Sequence, residues 1–146
     1  MMMFELEMDS REPFEMKGFL EEIGFTVHIK NNKTIDYTYE DKIAFSRKTT
    51  EDFINTLYSR DRDLFAEMEK LADYPYRYLM ISGNWQPILD ASINALHTMH
   101  HIVGAITSLE VKHGLRVLSW LDDEMLAYGI YKVCEKTEEM FGVSNS

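Results

Sequence analysis

Residues 34–58, TIDYTYEDKIAFSRKTTEDFINTLY, decide how the chain is read. Thr34 to Tyr39 and Lys42 to Arg47 are short runs rich in β-branched and aromatic residues, and the polar Glu40-Asp41 lies between them. Together they predict a β-hairpin. From Thr49 or Thr50 the apolar spacing changes from strand-like to helical. Phe53, Ile54, Leu57, Tyr58, Leu64, Phe65, Met68 and Leu71 form the buried stripe of one long amphipathic helix, with an irregularity near Ser59 to Arg62.

Outward from this stretch, strands and helices alternate. Phe4 to Met8 alternates apolar and acidic residues as a half-buried strand does, and Asp9-Ser10-Arg11-Glu12-Pro13 ends it. Pro13 suits a first helical turn, and FEMKGFLEEIG runs to a glycine stop at Gly24. Phe25 to Lys30 reads as a strand and Asn31-Asn32-Lys33 as a turn. Beyond the long helix, Asp73-Tyr-Pro-Tyr breaks the pattern, and RYLMIS, Arg77 to Ser82, has the continuous apolar character of a sheet interior. Gly83 to Pro87 opens further helical sequence that closes before Gly114. Leu115 to Ser119 is a last strand, and Asp122 to Phe141 a terminal helix. The expectation is an α/β domain over residues 1–141, a central mixed sheet with helices on both faces, followed by a frayed polar tail at 142–146.

Composition narrows the class. The chain has 146 residues, 45% of them hydrophobic and 27% charged, which is enough apolar material for a core and excludes a disordered tail or a collagen-like repeat. The net charge is −10, with −3 on residues 1–48 and −7 on residues 49–146, so the overall field repels DNA and any nucleic-acid contact must be local or assisted by a divalent cation. Cys134 is the only cysteine, which excludes a disulfide scaffold and fits a reducing compartment. No apolar run approaches the roughly 20 residues of a membrane span, and the acidic start lacks a signal peptide's basic region. A cytoplasmic protein with no membrane partner is expected.

Polar residues gather where elements end. Asp9 and Glu12 follow the first strand, Asp36 lies in the hairpin's first strand, Ser46, Arg47 and Lys48 end its second, and Asp52 opens the long helix. Carboxylates that hold Mg²⁺ or Mn²⁺, beside a lysine that offsets charge on a phosphate, suit phosphodiester hydrolysis. Each residue also has a plain structural use. Thr49-x-x-Asp52 is a variant of the helix capping box, Arg11 and Glu12 make a local ion pair, Asp36 solvates a strand edge, and Arg47-Lys48 is a charged strand end.

Order and spacing favour the first use. Asp9-Ser-Arg-Glu12, then Asp36-Tyr37, then Ser46-Arg47-Lys48-Thr-Thr-Glu-Asp52 resembles the nuclease domain of the XPF and Hef type of structure-selective endonucleases, with V-D-x-R-E, G-D-Y and E-R-K-x-x-x-D motifs. YLMISGNW is similar to the family's strand ending in isoleucine-glutamate-glycine, and VGAITSLEVKHGLRVL to its later helix and strand. Two positions depart: Ile35 replaces the glycine of G-D-Y, and Ser46 replaces the glutamate of E-R-K.

The resemblance implies a restriction-endonuclease-like core and divalent-metal-dependent cleavage of DNA near flaps or branches. It implies a dimer, homodimeric or heterodimeric. No helix-hairpin-helix domain fits within this length. By resemblance Asp36 and the Arg47 carbonyl contact the metal, Asp9 and Glu12 line the pocket, and Lys48 serves the phosphate or the water. Arg47 anchors the motif, Asp52 holds Arg47 or Lys48, and Arg11, Arg60 and Arg62 touch DNA phosphates. Ser46 is a neutral, poor substitute ligand, for which Glu12 is the first replacement and Glu40 the second. A catalytically silent DNA-binding or dimerisation subunit is the alternative. If the site assembles, Asp36 and Ser46 must share a sheet face. That requires an even pairing sum, as with the three-residue loop Glu40-Asp41-Lys42; a two-residue loop puts them on opposite faces.

His97 and His101 have the i, i+4 spacing of a zinc pair, but no third ligand completes a motif with them or His100. Trp85, Trp120 and Cys134 are read as packing residues.

Overall fold

A computed structural model describes residues 3–32 and 34–142. The elements run β1 (Phe4–Asp9), α1 (Phe14–Ile23), β2 (Phe25–Lys30), β3 (Tyr37–Tyr39), β4 (Ile43–Thr49), α2 (Thr50–Leu57), α3 (Leu64–Glu69), β5 (Tyr76–Ser82), α4 (Gln86–Ala91), α5 (Ala95–His113), β6 (Arg116–Trp120) and α6 (Asp123–Met140). They build a mixed six-stranded sheet in the order β2-β1-β3-β4-β5-β6. Only the β1–β3 and β3–β4 pairs are antiparallel. Residue 33 of the expected turn and residues 143–146 of the expected tail lie outside the described residues. No described helix is long and apolar enough to cross a membrane.

Period-two alternation sorts each strand between two cores. Phe4, Leu6, Met8, Ile43 and Phe45 face the side covered by α1 and α6, where Met16, Leu20, Ile130 and Tyr131 meet them. Ala44, Leu79 and Ile81 face Phe53, Leu64, Met68 and Leu109 of α2, α3 and α5. Each large side chain fully buried this way contributes roughly 1.5–3 kcal/mol. Trp85 packs edge-on against Phe53, Trp120 packs against the first core, and Cys134 is buried within it. Gly83 lies where the end of β5 meets α2. Its φ is +131°, and a Cβ there would come within 2.5 Å of Thr50 Oγ1, so only glycine fits.

Two expectations need correction, both because polar side chains capture backbone groups. The strand expected from Thr34 begins only at Tyr37, because Asn32 Oδ1 accepts from the Thr34 and Ile35 amides and the Thr34 hydroxyl. The single long helix is two. Ser59 Oγ accepts from the Asp61 and Arg62 amides, and Asp63 then caps a new helix by accepting from Phe65 and Ala66.

Candidate active site

The hairpin register sets the site. Tyr37 pairs Phe45, Thr38 pairs Ala44 and Tyr39 pairs Ile43, leaving the three-residue loop Glu40-Asp41-Lys42, with Glu40 in the left-handed region at φ 51°. Continued by one residue, this even-sum register puts Asp36 opposite Ser46, and Ser46 Oγ donates to Asp36 Oδ2 at 3.3 Å. The β1–β3 register, Glu7 with Thr38 and Met8 with Tyr37, likewise puts Asp9 opposite Asp36, and the Asp9 amide donates to the Asp36 carbonyl at 2.9 Å. Asp9, Asp36 and Ser46 thus form a row across three adjacent strands on one face, with Lys48 two residues further along β4 on that same face.

Their partners differ in kind. Asp36 Oδ2 also accepts the Arg47 amide at 2.7 Å, tying it to the end of the hairpin. Asp9 is 3% exposed. Its Oδ2 accepts from Arg11 Nε at 3.0 Å, whereas its Oδ1 is buried without a hydrogen-bond partner. Such an orphaned acceptor costs about 1–3 kcal/mol unless a water or an ion meets it. Lys48, its side chain 6% exposed, places Nζ 3.3 Å from Asp52 Oδ2 and 3.1 Å from Glu67 Oε1. Arg62 closes this group, with Nε and NH2 on the two Glu67 oxygens at 2.8 and 2.9 Å and NH1 3.4 Å from Asp52.

Arg47, adjacent in sequence, points to the opposite face. Its Nε donates to Glu12 Oε1 at 2.8 Å and its NH1 to Asp123 Oδ1 at 3.1 Å, and Asp123 also accepts the Ser82 hydroxyl at 2.7 Å. Burial and the nearby Asp36 push the Glu12 carboxyl above its usual range against the pull of Arg47. Burial works against the Arg47 charge, but Glu12 and Asp123 outweigh it and its pKa is raised. On the Lys48 side, the hydrogen bond from Arg62, helped by Lys48 against partial burial, holds Glu67 down to about 2.

Several expected residues are therefore together and others apart. Asp9, Asp36, Ser46 and Lys48 share a face, and Asp52 holds Lys48 while its amide is capped by Thr49. Glu12, expected to replace the missing glutamate, is engaged by Arg47 on the other face, and the carboxylate in the row is Asp9. Arg11 turns to Asp9 and the Asn32 carbonyl, and Arg60 is exposed and unpaired among the described residues. Glu40 sits in the hairpin loop at the far end of β4, by Lys42.

Two participants went unnoticed in the sequence. Glu67 looks like an ordinary helix-surface acid, and Asp123 like part of the helix start that Asp122 caps. The His97 and His101 rings lie 4.2 Å apart, and His101 Nδ1 meets the Tyr58 hydroxyl at 2.8 Å. No group of three or more His, Cys, Asp or Glu side chains suited to a metal ion occurs among the described residues.

A hard divalent cation such as Mg²⁺ needs only one or two protein carboxylates when water and a substrate phosphate complete its shell. Asp9, with its free buried oxygen, and Asp36 meet that need on one face. Ser46 adds only a neutral hydroxyl.

Comparison with known proteins places this arrangement. The ERCC4 domain family matches residues 8–133. A Methanocaldococcus jannaschii protein named as an ATP-dependent RNA helicase is 26% identical over 112 residues, 77% of this chain and 13% of that protein. The 3′-flap repair endonuclease Xpf of Saccharolobus solfataricus is 24% identical over 147 residues, 99% of this chain and 60% of that protein. The chain thus spans less than two thirds of either relative's length. XPF from Aeropyrum pernix in complex with DNA shares the fold with a TM-score of 0.79 at 24% identity, covering 93% of this chain and 66% of that one. A second structure of XPF from Aeropyrum pernix gives a TM-score of 0.77 at 24% identity, covering 91% of this chain and 61% of that one. The chain belongs to the ERCC4 domain family, and it shares the fold of the Aeropyrum pernix XPF structures.

Proposed function

We propose that this chain is a divalent-metal-dependent, structure-selective DNA endonuclease domain that hydrolyses phosphodiesters near flaps or branches, with turnover lowered by Ser46. The observation that carries the reading is the row of Asp9, Asp36 and Ser46 on one sheet face with Lys48 beside it. Mg²⁺ or Mn²⁺, held by Asp9 and Asp36 with the Arg47 carbonyl, would activate water and offset charge on the phosphate. The chain's own residues do the rest. Lys48 meets the developing negative charge, and Asp36 fixes the Arg47 amide and the Ser46 hydroxyl at the strand end. Arg11, Arg60 and Arg62 at the rim contact flanking phosphates, which a chain of net charge −10 needs as a local cationic path. Leu121, Met125 and Tyr128 expose an apolar stripe at the start of α6, which suits a homodimer before a heterodimer.

Cleavage of labelled flap, fork, duplex and single-stranded DNA with Mn²⁺ and Mg²⁺ tests the reading. The chain should cut flaps or forks slowly, Asp36→Asn should not cut, and Ser46→Glu should cut at least about tenfold faster. The neutral Ser46 favours one other reading, a catalytically silent DNA-binding or dimerisation subunit. That reading takes over if neither the chain nor Ser46→Glu cuts while both bind branched DNA.

A further inference from the structure

Lys48 shares the sheet face of the row, yet its side chain has almost no open path to solvent. Its side chain is 6% exposed, and Asp52 and Glu67 stand over its ammonium. Arg62, 44% exposed, forms the outer wall of the same group. Two cations and two carboxylates cancel, so a phosphodiester arriving here meets no net attraction until one carboxylate leaves.

Glu67 is the one whose place a phosphodiester matches. Its two oxygens lie on Arg62 Nε and NH2 at 2.8 and 2.9 Å, and the oxygen on NH2 is shared with Lys48 Nζ at 3.1 Å. A fork held bidentately, with one oxygen bridged to a second cation, is the arrangement that the two non-bridging oxygens of a phosphodiester also make with arginine and lysine. Asp52 contacts the same cations more loosely, at 3.3 and 3.4 Å, and stays in place on α2, whose first turn Thr49 caps. Glu67 belongs to α3, separated from α2 by the break at 58–63 that carries Arg62.

We propose that Lys48 and Arg62 form a phosphodiester-binding pair and that Glu67 occupies it in the free protein, so that DNA binds by displacing the Glu67 carboxylate. The proposal rests on the reading of this face as a DNA site and adds what regulates it. The site lies two residues along β4 from Ser46, about 6.6 Å by strand geometry, within reach of the phosphate under attack.

The test is DNA binding without cleavage, by fluorescence anisotropy on a labelled flap with EDTA present, from about 50 to about 200 mM salt. Glu67→Gln should bind about fivefold tighter than the chain near 100 mM salt, and log K against log salt should steepen by about one phosphate contact. Arg62→Gln should weaken binding, and the double variant should lose the gain. Glu67→Asp, which keeps the charge but shortens the fork, should gain less than Glu67→Gln and stands in for it if that variant does not fold. Binding by Glu67→Gln equal to or weaker than that of the chain overturns the proposal while leaving the DNA site intact. If no form binds any DNA, the DNA reading itself falls and takes the proposal with it.

Discussion

Arg47 and Lys48 are consecutive cations on one strand, and they live in different chemistry. Arg47 is shut between Glu12 and Asp123 beside the α1–α6 core, its side chain 12% exposed, in a group that ties the end of β1, β4 and the start of α6 together. Lys48 is even less exposed, but two of the residues around it, Asp52 and Arg62, reach solvent, and its neighbours along the sheet face are Ser46, Asp36 and Asp9. Alternation along a strand thus splits one dipeptide into a brace beside one core and a residue of the candidate site on the opposite face.

The largest effect should separate these two most plainly. Arg47→Met leaves two carboxylates without their cation and should cost about 3 kcal/mol, seen as a lower urea midpoint at unchanged m-value. Lys48→Met should cost no more than about 1 kcal/mol, since Asp52 and Glu67 keep Arg62 and water, while flap cleavage drops about a hundredfold. Equal losses of stability would erase the distinction between the two sides.

Ser46→Glu sharpens the Lys48 side alone. A second carboxylate beside Asp36 should lower the melting temperature slightly without metal and raise it above that of the parent chain with Mn²⁺, through roughly tenfold tighter ion binding. A Mn²⁺ shift no larger than the parent's would mean that position 46 is not part of the ion site. At the far end of the hairpin, the buried Glu138 accepts from Lys42 Nζ at 2.8 Å and from the Tyr39 hydroxyl at 3.0 Å, clasping α6 to the sheet. Glu138→Gln should cost about 1–2 kcal/mol and leave DNA binding unchanged, which makes it the control for a purely structural carboxylate.

The smallest effect is the response to acid, and its sign differs between the sides. Glu12 titrates above 4.5 in the folded chain, so its contribution to stability rises as pH falls through its folded value towards 4.5. Glu67 is held at about 2, so it adds stability above 4.5 that is lost as pH falls from 4.5 to about 2. Unfolding measured against pH for Glu12→Gln and Glu67→Gln beside the parent chain should give differences that run in opposite directions. Parallel curves would place both carboxylates in the same kind of environment.

Much of this was legible in the amino-acid order. The alternation of FELEM and IAFS, the helical spacing after Thr49 and the glycine after Ile23 are local patterns, and they determined the α/β class and nearly every element. The register that sets Asp36 opposite Ser46 follows from the three-residue loop, which the sequence left open beside a two-residue one. The Lys48–Asp52 pair, four residues apart, belongs with the local patterns. Where local polar capture competes with periodicity, as at Asn32 and Ser59, the reading from spacing failed. The partners of the cations were decided by tertiary structure. Arg47 meets Glu12 across 35 residues and Asp123 across 76, and Lys48 meets Glu67 across 19. Nothing in a one-dimensional pattern says which of many surface acids the packing of separate helices will carry to a given strand end. For that reason Glu67 and Asp123 were invisible in the sequence, and so was the Arg47 contact that engages Glu12.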